Sequence, residues 1–162
     1  MSHEPHAAPV LVLGWGSPLR QDDAAGAAAA EAVAARHDPR VDARALHQLF
    51  PELAEPLAAA ELAIFLDARV AGPDEAVTVV PLDGEPAPGA APPALGHTAD
   101  ALDLLGLSQS LYGRRPRAWL VTIPAAELGM GEGLSPAARA GVAAAVEAVR
   151  RLIDEHVPAP RP

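Results

Sequence analysis

Asp22 and Asp23 follow the glycine pair Gly14-x-Gly16, Asp67 follows the apolar run Leu62 to Leu66, and His97 stands between a Pro- and Gly-rich stretch and Thr98. Brought together, Asp23, Asp67 and His97 would offer two carboxylates and one imidazole. That donor set suits a divalent transition metal with positions left open. Each residue also has an ordinary use. One Asp of the pair can cap a helix while the other gains from its first turn, an Asp after a strand commonly bonds turn amides, and a single His is more often solvated than a ligand. A shared site requires a fold that carries all three to one place.

The elements that would do so can be read in order. Val10 to Leu13 is an apolar run stopped by glycine, a strand buried on both faces. Asp22 is placed to cap an Ala-rich helix ending near His37, ahead of Pro39. Val41 to Leu46 is a second strand, Pro51 opens a helix through about Ala60, and Leu62 to Leu66 is a third strand terminating at Asp67. Only about nine residues separate Asp67 from the next strand, Ala76 to Val80, too few for a parallel crossover, so that strand is expected to be antiparallel. Residues 83–96 form a long loop, Thr98 caps a helix to about Leu111 with Asp100 and Asp103 favourably placed in its first turn, and Ala118 to Ile123 is a fifth strand. Ser135-Pro136 starts a last helix on which Val142, Val146, Val149 and Ile153 recur at helical spacing.

Strands alternating with helices predict a single α/β domain over 10–156, with a mixed, mostly parallel five-stranded sheet covered on both faces. Residues 1–9 are expected to be flexible and 157–162 to form a disordered tail. Strands one and three are parallel, so Asp23 and Asp67 emerge along the same sheet edge. The helix before a parallel fifth strand must start there too, which brings the 83–96 loop and His97 back beside them. In such sheets ligands sit outside the carboxyl ends of the strands.

Composition and missing motifs remove many alternatives. The 162 residues carry 21 acidic against 12 basic side chains, all of the latter Arg, for a formal charge of −9, which opposes nucleic acid. With no Cys there is no disulfide, thiolate metal site or cysteine nucleophile, and a reducing compartment such as the cytoplasm is expected. Met1 to Pro9 has no Lys, Arg or apolar core of a signal peptide, and no uncharged apolar run reaches the roughly 18–20 residues of a membrane span. Gly14-x-Gly16 lacks the third glycine of a dinucleotide fingerprint, position 19 being Leu, and the aspartates would repel a pyrophosphate. There is neither an H-E-x-x-H helix nor a G-x-S-x-G elbow.

The segment GWGSPLRQDDAAG, Gly14 to Gly26, resembles the G-x-G-N-x-L-x-x-D-[DE]-x-x-G signature of the nickel-iron hydrogenase maturation endopeptidases, with matching spacing. IFLDARV around Asp67, LGHTADALDLL around His97, RPRAWLVTIP and the GEGLSP from Gly131 to Pro136 are similar to later parts of the family pattern, so the resemblance runs from about residue 10 to 154. It departs at Ser17, where Asn is usual, and at His47-Gln48, where many members carry a Gly-Thr-rich segment.

The resemblance implies a three-layer α/β/α, phosphorylase/hydrolase-like fold. It also implies an endopeptidase that recognises nickel in the hydrogenase large-subunit precursor and removes that precursor's C-terminal peptide. Asp23, Asp67 and His97 then correspond to the nickel-recognising residues. The metal arrives with the substrate, no cofactor is tightly bound, and a divalent metal is a candidate occupant of the site. His47 and Glu52 are substrate-cleft candidates by the same likeness, with ordinary loop and helix-surface roles as the alternative. Arg114, Arg115 and Arg117 read as a solvated turn or a contact for an acidic partner. A monomer is expected. Rival readings are a chaperone that senses nickel without cutting, and a metal-dependent amidohydrolase of small molecules.

Overall fold

The computed structural model describes residues 8–71, 75–82, 97–159 and 161, with side chains from residue 100 onward in the segment that starts at 97. Five strands form one sheet: β1 (Val10–Trp15), β2 (Val41–Leu46), β3 (Leu62–Val70), β4 (Thr78–Pro81) and β5 (Arg117–Ala125). Their order is β2-β1-β3-β5-β4. β1 is parallel to β2 and to β3, and β3 to β5, while β4 runs antiparallel to β5, the direction its short connection predicts. Four α-helices flank the sheet, α1 (Ala25–Ala34), α2 (Ala54–Ala59), α3 (His97–Tyr112) and α4 (Pro136–His156). The result is the expected α/β sandwich with a mixed, mostly parallel sheet.

Side chains alternate between two apolar layers, as strand geometry requires. Val10, Val12, Leu62, Ile64 and Leu66 pack with α1 and α4 on one face. Leu11, Leu13, Trp15, Ala63 and Phe65 pack with α2 and α3 on the other, where Trp15 meets Phe65 edge-on at 6.1 Å. All six residues of β1 are buried, as befits a central parallel strand.

α1 lies against the sheet almost backbone to backbone. A Cβ on Gly14 would come 2.1 Å from the Gly26 carbonyl oxygen, and one on Gly26 would come 2.4 Å from that of Leu66. Ala25, Ala29 and Ala30, fully buried, keep the rest of the interface equally close.

The entry to α1 differs from the sequence expectation. Asp22 is not an N-cap: it sits inside a 3-10 turn, Gln21–Ala24, that precedes the helix, and no side chain caps either element. Its fully buried carboxylate reaches across to the β5–α4 connection instead. There it accepts hydrogen bonds from the amides of Ala126 (3.0 Å), Glu127 (3.0 Å) and Ser135 (2.7 Å) and from Ser135 Oγ (2.8 Å). Ser135 Oγ also caps α4, accepting from the Ala138 amide at 3.1 Å. This long-range clamp satisfies backbone amides of the β5–α4 connection, which a local cap would forgo. α1 itself stops at Ala34, short of His37, whose positive φ of 51° turns the chain toward β2. β3 continues past Asp67 to Val70, so Asp67 lies within the strand rather than at its end.

Burial pushes the Asp22 carboxyl up, but the hydrogen bonds from Ser135, Glu127 and Ala126 outweigh it and hold the group below its ordinary value. A depressed native pKa stabilises the fold above the unfolded value of about 4, and that stability is lost as pH falls through the native one. Asp22→Ala is therefore expected to cost about 3 kcal/mol in urea unfolding at pH 7, because it orphans buried donors. The gap between variant and wild type should narrow below about pH 4.

Candidate functional site at the carboxyl edge of the sheet

The chain leaves β1 toward β2 on one side and meets β3 on the other, so the crevice at the carboxyl ends of β1 and β3 is a topological switch point. Asp23 and Asp67 both stand there. Asp23, half-buried, is carried on the 3-10 turn after β1, and its Oδ2 accepts a 2.9 Å hydrogen bond from the Ser17 amide. That loop closes only because residue 16 is glycine: φ is +148°, and a Cβ would lie 1.8 Å from the Asp23 carbonyl oxygen.

Asp67 is placed by the sheet. Pairing between β1 and β3 ends at Gly14 and Leu66, and Asp67 is the first β3 residue beyond it, still paired with Thr122 of β5. Strand alternation turns it to the Phe65 side, toward α3. It is only 5% exposed. Desolvation is the main force on its carboxyl; the Ala68 amide opposes this, the charges of Asp23 and Asp100 add to it, and the pKa is pushed up to about 8.

A cleft of about 500 Å³ opens beside this pair, lined by Trp15, Asp23, His47, Phe50, Asp100 and Leu104 among others. His47 thus shares the cleft with Asp23. Glu52 is exposed on the short 3-10 turn Pro51–Leu53 and is not among the lining residues, nor is Asp67. His97 is the first residue of α3, whose next turns border the cleft; its side chain lies outside the described residues, as does the 83–96 loop. Among the described residues no three His, Asp or Glu side chains are grouped to hold a metal ion. Arg114, Arg115 and Arg117 fall elsewhere, around a hollow with Leu62 and His156.

Asp100 and Asp103 join the cleft and were read in the sequence only as first-turn acids. The available signal was periodicity: Asp100, Asp103, Leu104 and Leu107 share one helical face, and all four line the cleft. The cleft therefore concentrates carboxylates around Asp23, with Arg20 as the formally charged cation among its lining residues. Such a site repels anions and favours a cation or cationic group.

No family model and no curated protein matches the chain. Solved structures do. The hydrogenase maturating endopeptidase HybD from E. coli aligns with a TM-score of 0.73 and 25% identity over 90% of this chain and 92% of that one. The [NiFe] hydrogenase maturation protease HybD from Thermococcus kodakarensis aligns at 0.66 and 26%, over 88% and 97%. The solution structure of an endopeptidase from Escherichia coli aligns at 0.66 and 26%, over 90% and 92%. The chain thus shares its fold with solved structures of hydrogenase maturation peptidases, the family that the Gly14 to Gly26 motif resembles. Among the described residues no helix is long and apolar enough to cross a membrane.

The raised Asp67 pKa has a stability consequence of definite sign. Between the unfolded value of about 4 and the native value of about 8 the folded state holds the extra proton, so stability falls as pH rises through that window. Asp67→Asn should remove this slope, worth at most about 1.4 kcal/mol per pH unit. Urea unfolding of the metal-free proteins at pH 5 and pH 8.5 is expected to show the variant gaining on wild type at the higher pH; parallel behaviour would refute the buried, repelled carboxylate.

Proposed function

We propose that this chain is an endopeptidase of hydrogenase maturation. It recognises nickel already inserted in the large-subunit precursor through Asp23, Asp67 and His97, then hydrolyses one peptide bond to release a C-terminal peptide. The observation that carries the reading is that Asp23 and the buried Asp67 stand at the same switch point, where the Asp23 charge adds to the desolvation that raises Asp67, in a fold shared with named hydrogenase maturation proteases. Carboxylates that repel one another cost folding energy, and an arriving cation offsets that cost. The donors also fit recognition of a metal held elsewhere. Two aspartates and a histidine form an incomplete, oxygen-rich shell that binds a free divalent ion weakly, whereas a metal fixed in a partner protein can accept them at open positions. Ligation requires Asp67 to lose its proton, which a nearby divalent charge favours.

In this reading the metal bridges the two proteins and sets the scissile segment in the cleft, so catalysis draws on positioning. His47 is assigned to the cleft wall that the peptide passes. Glu52 is the less favoured of the two substrate candidates because it stands outside that wall. The protein is proposed to act as a monomer in the cytoplasm, in keeping with a chain that has no cysteine.

Nickel-loaded precursor incubated with the protein should lose a C-terminal peptide, read by intact-mass spectrometry. Nickel-free precursor should stay whole even with free Ni²⁺ added. Equal cleavage of the two would overturn nickel recognition, and binding without any cleavage would favour a chaperone. Asp23→Ala, Asp67→Ala and His97→Ala should each lower processing at least about a hundredfold, the scale of a lost positioning contact, with circular dichroism unchanged.

A further inference from the structure

At the amino edge of the sheet, where Leu62 at the start of β3 pairs with Arg117 at the start of β5, a hollow of about 320 Å³ opens away from the carboxyl-edge cleft. Arg114, Arg115 and Arg117 line it together with Glu61 and His156. Three guanidinium charges thus share a wall with one carboxylate, in a chain whose formal charge is −9.

The turn that carries the arginines is tied down. Gly113, at φ 69°, follows α3 with its amide donating to the Gln109 carbonyl at 2.9 Å. The fully buried Ser108 hydroxyl donates to the Arg114 carbonyl at 2.7 Å, Pro116 is buried, and the Arg117 amide donates to the Glu61 carbonyl at 3.3 Å. One guanidinium is itself tethered, Arg115 Nη2 donating to the Leu82 carbonyl at 2.7 Å.

Elsewhere arginines are neutralised in place: Arg36, Arg40, Arg44, Arg69 and Arg150 each lie 2.7–3.1 Å from a carboxylate. Arg114, Arg115 and Arg117 have no such partner among the described residues, although Glu61 stands on the same wall. Nor are they spent on the last carbonyls of α3 or α4, since Arg115 bonds Leu82 and Arg117 Nη1 stands 3.5 Å from His156 Nδ1. The other nitrogen of that imidazole, Nε2, is buried with no hydrogen-bond partner among the described residues. A lone surface guanidinium needs no ligand. Three around one hollow, on a turn held by buried bonds and without counter-charges, repel one another, and an entering anion offsets that repulsion.

We propose that this hollow binds a small polyvalent oxyanion, a phosphate or pyrophosphate group, between the guanidinium groups of Arg114, Arg115 and Arg117. Their planar forks of donors match the oxygens of phosphate-type groups. The volume is at the low end of ligand-holding clefts, which suits a small molecule. A polynucleotide is disfavoured, because its backbone would run past the hollow onto an acidic protein. The site is independent of the function proposed above, since it shares no lining residue with the cleft that holds Asp23.

Pyrophosphate is titrated into the metal-free protein by calorimetry at constant ionic strength. The fluorescence of Trp119, whose ring meets that of His156 at 5.5 Å, serves as a local reporter. Saturable binding with a Kd of about 1 mM or tighter is expected. Arg114→Ala/Arg117→Ala should weaken it at least about tenfold, the scale of losing hydrogen bonds to a charged group. Arg36→Ala/Arg150→Ala removes the same formal charge from arginines already paired with Glu147, and should change the Kd by less than about twofold. Arg114→Lys/Arg117→Lys, which keeps the charge but loses the forks, should fall between wild type and the first alanine pair, and tests the site even where alanine disturbs the turn. Absence of saturation, or equal weakening by the two alanine pairs, would overturn the site and leave a solvated turn. Tighter binding of a triglutamate peptide than of pyrophosphate would overturn the small oxyanion in favour of an acidic protein segment. Circular dichroism and melting confirm that each variant is folded.

Discussion

The backbone contact between the start of α1 and the central strands sets the geometry of everything at the carboxyl edge. Gly14 and Gly26 allow the helix to approach β1 and β3 to a distance at which a single Cβ would collide with a carbonyl. The 3-10 turn is therefore drawn down onto the ends of the strands, and Asp23 is held within the field of Asp67. Side chains of ordinary size at those glycines would lift the helix, and the two carboxylates would separate into solvent. Gly16 acts at the next step, letting the loop fold tightly enough for the Ser17 amide to hold the Asp23 carboxylate.

Asp22 and Asp67 are both buried, yet their carboxyls are shifted in opposite directions, because hydrogen bonds outweigh desolvation at the first and not at the second. The Asp22 carboxylate is surrounded by donors, which hold it below its ordinary value despite its burial. At Asp67 desolvation comes first, the Ala68 amide opposes it and the charges of Asp23 and Asp100 add to it, so its charged form is disfavoured. Next to Asp22 in the chain, Asp23 has a single amide from Ser17 and faces the cleft. One aspartate thus anchors the turn to the β5–α4 connection so that its neighbour can be presented with little local support. Stability and site are separated by one residue.

Much of this architecture was legible because its signals are periodic or compositional. The apolar runs at β1 and β3, the short connection before β4, and the Ser135-Pro136 start of α4 all specify backbone geometry directly. Parallel strands then placed Asp23 and Asp67 on the same edge. The role of Asp22 was not legible, because its donors are more than a hundred positions away at Ala126, Glu127 and Ser135, and a local cap is the simplest use of an Asp before a helix. The length of β3 was hidden for a related reason: Asp67 and Arg69 interrupt the apolar pattern, but pairing with β5 continues the strand to Val70. The cleft role of Asp100 and Asp103 was not legible because helix-start acids are common, and only the cleft distinguishes a solvated face from a lining one.

The gap between clear structural likeness and low sequence identity has a physical origin in the same helix. α1 reads AGAAAAEAVA, and its packing needs only small residues at Ala25, Ala29 and Ala30 and glycine at position 26. Ala satisfies helix propensity and close approach at once, so most of the helix carries little information about its ancestry. The positions that admit least change in this fold are those where the contacts leave no room: Gly14, Gly16 and Gly26 against carbonyls and Asp22 among the amides it satisfies. These positions are few, and so make up a small share of the sequence.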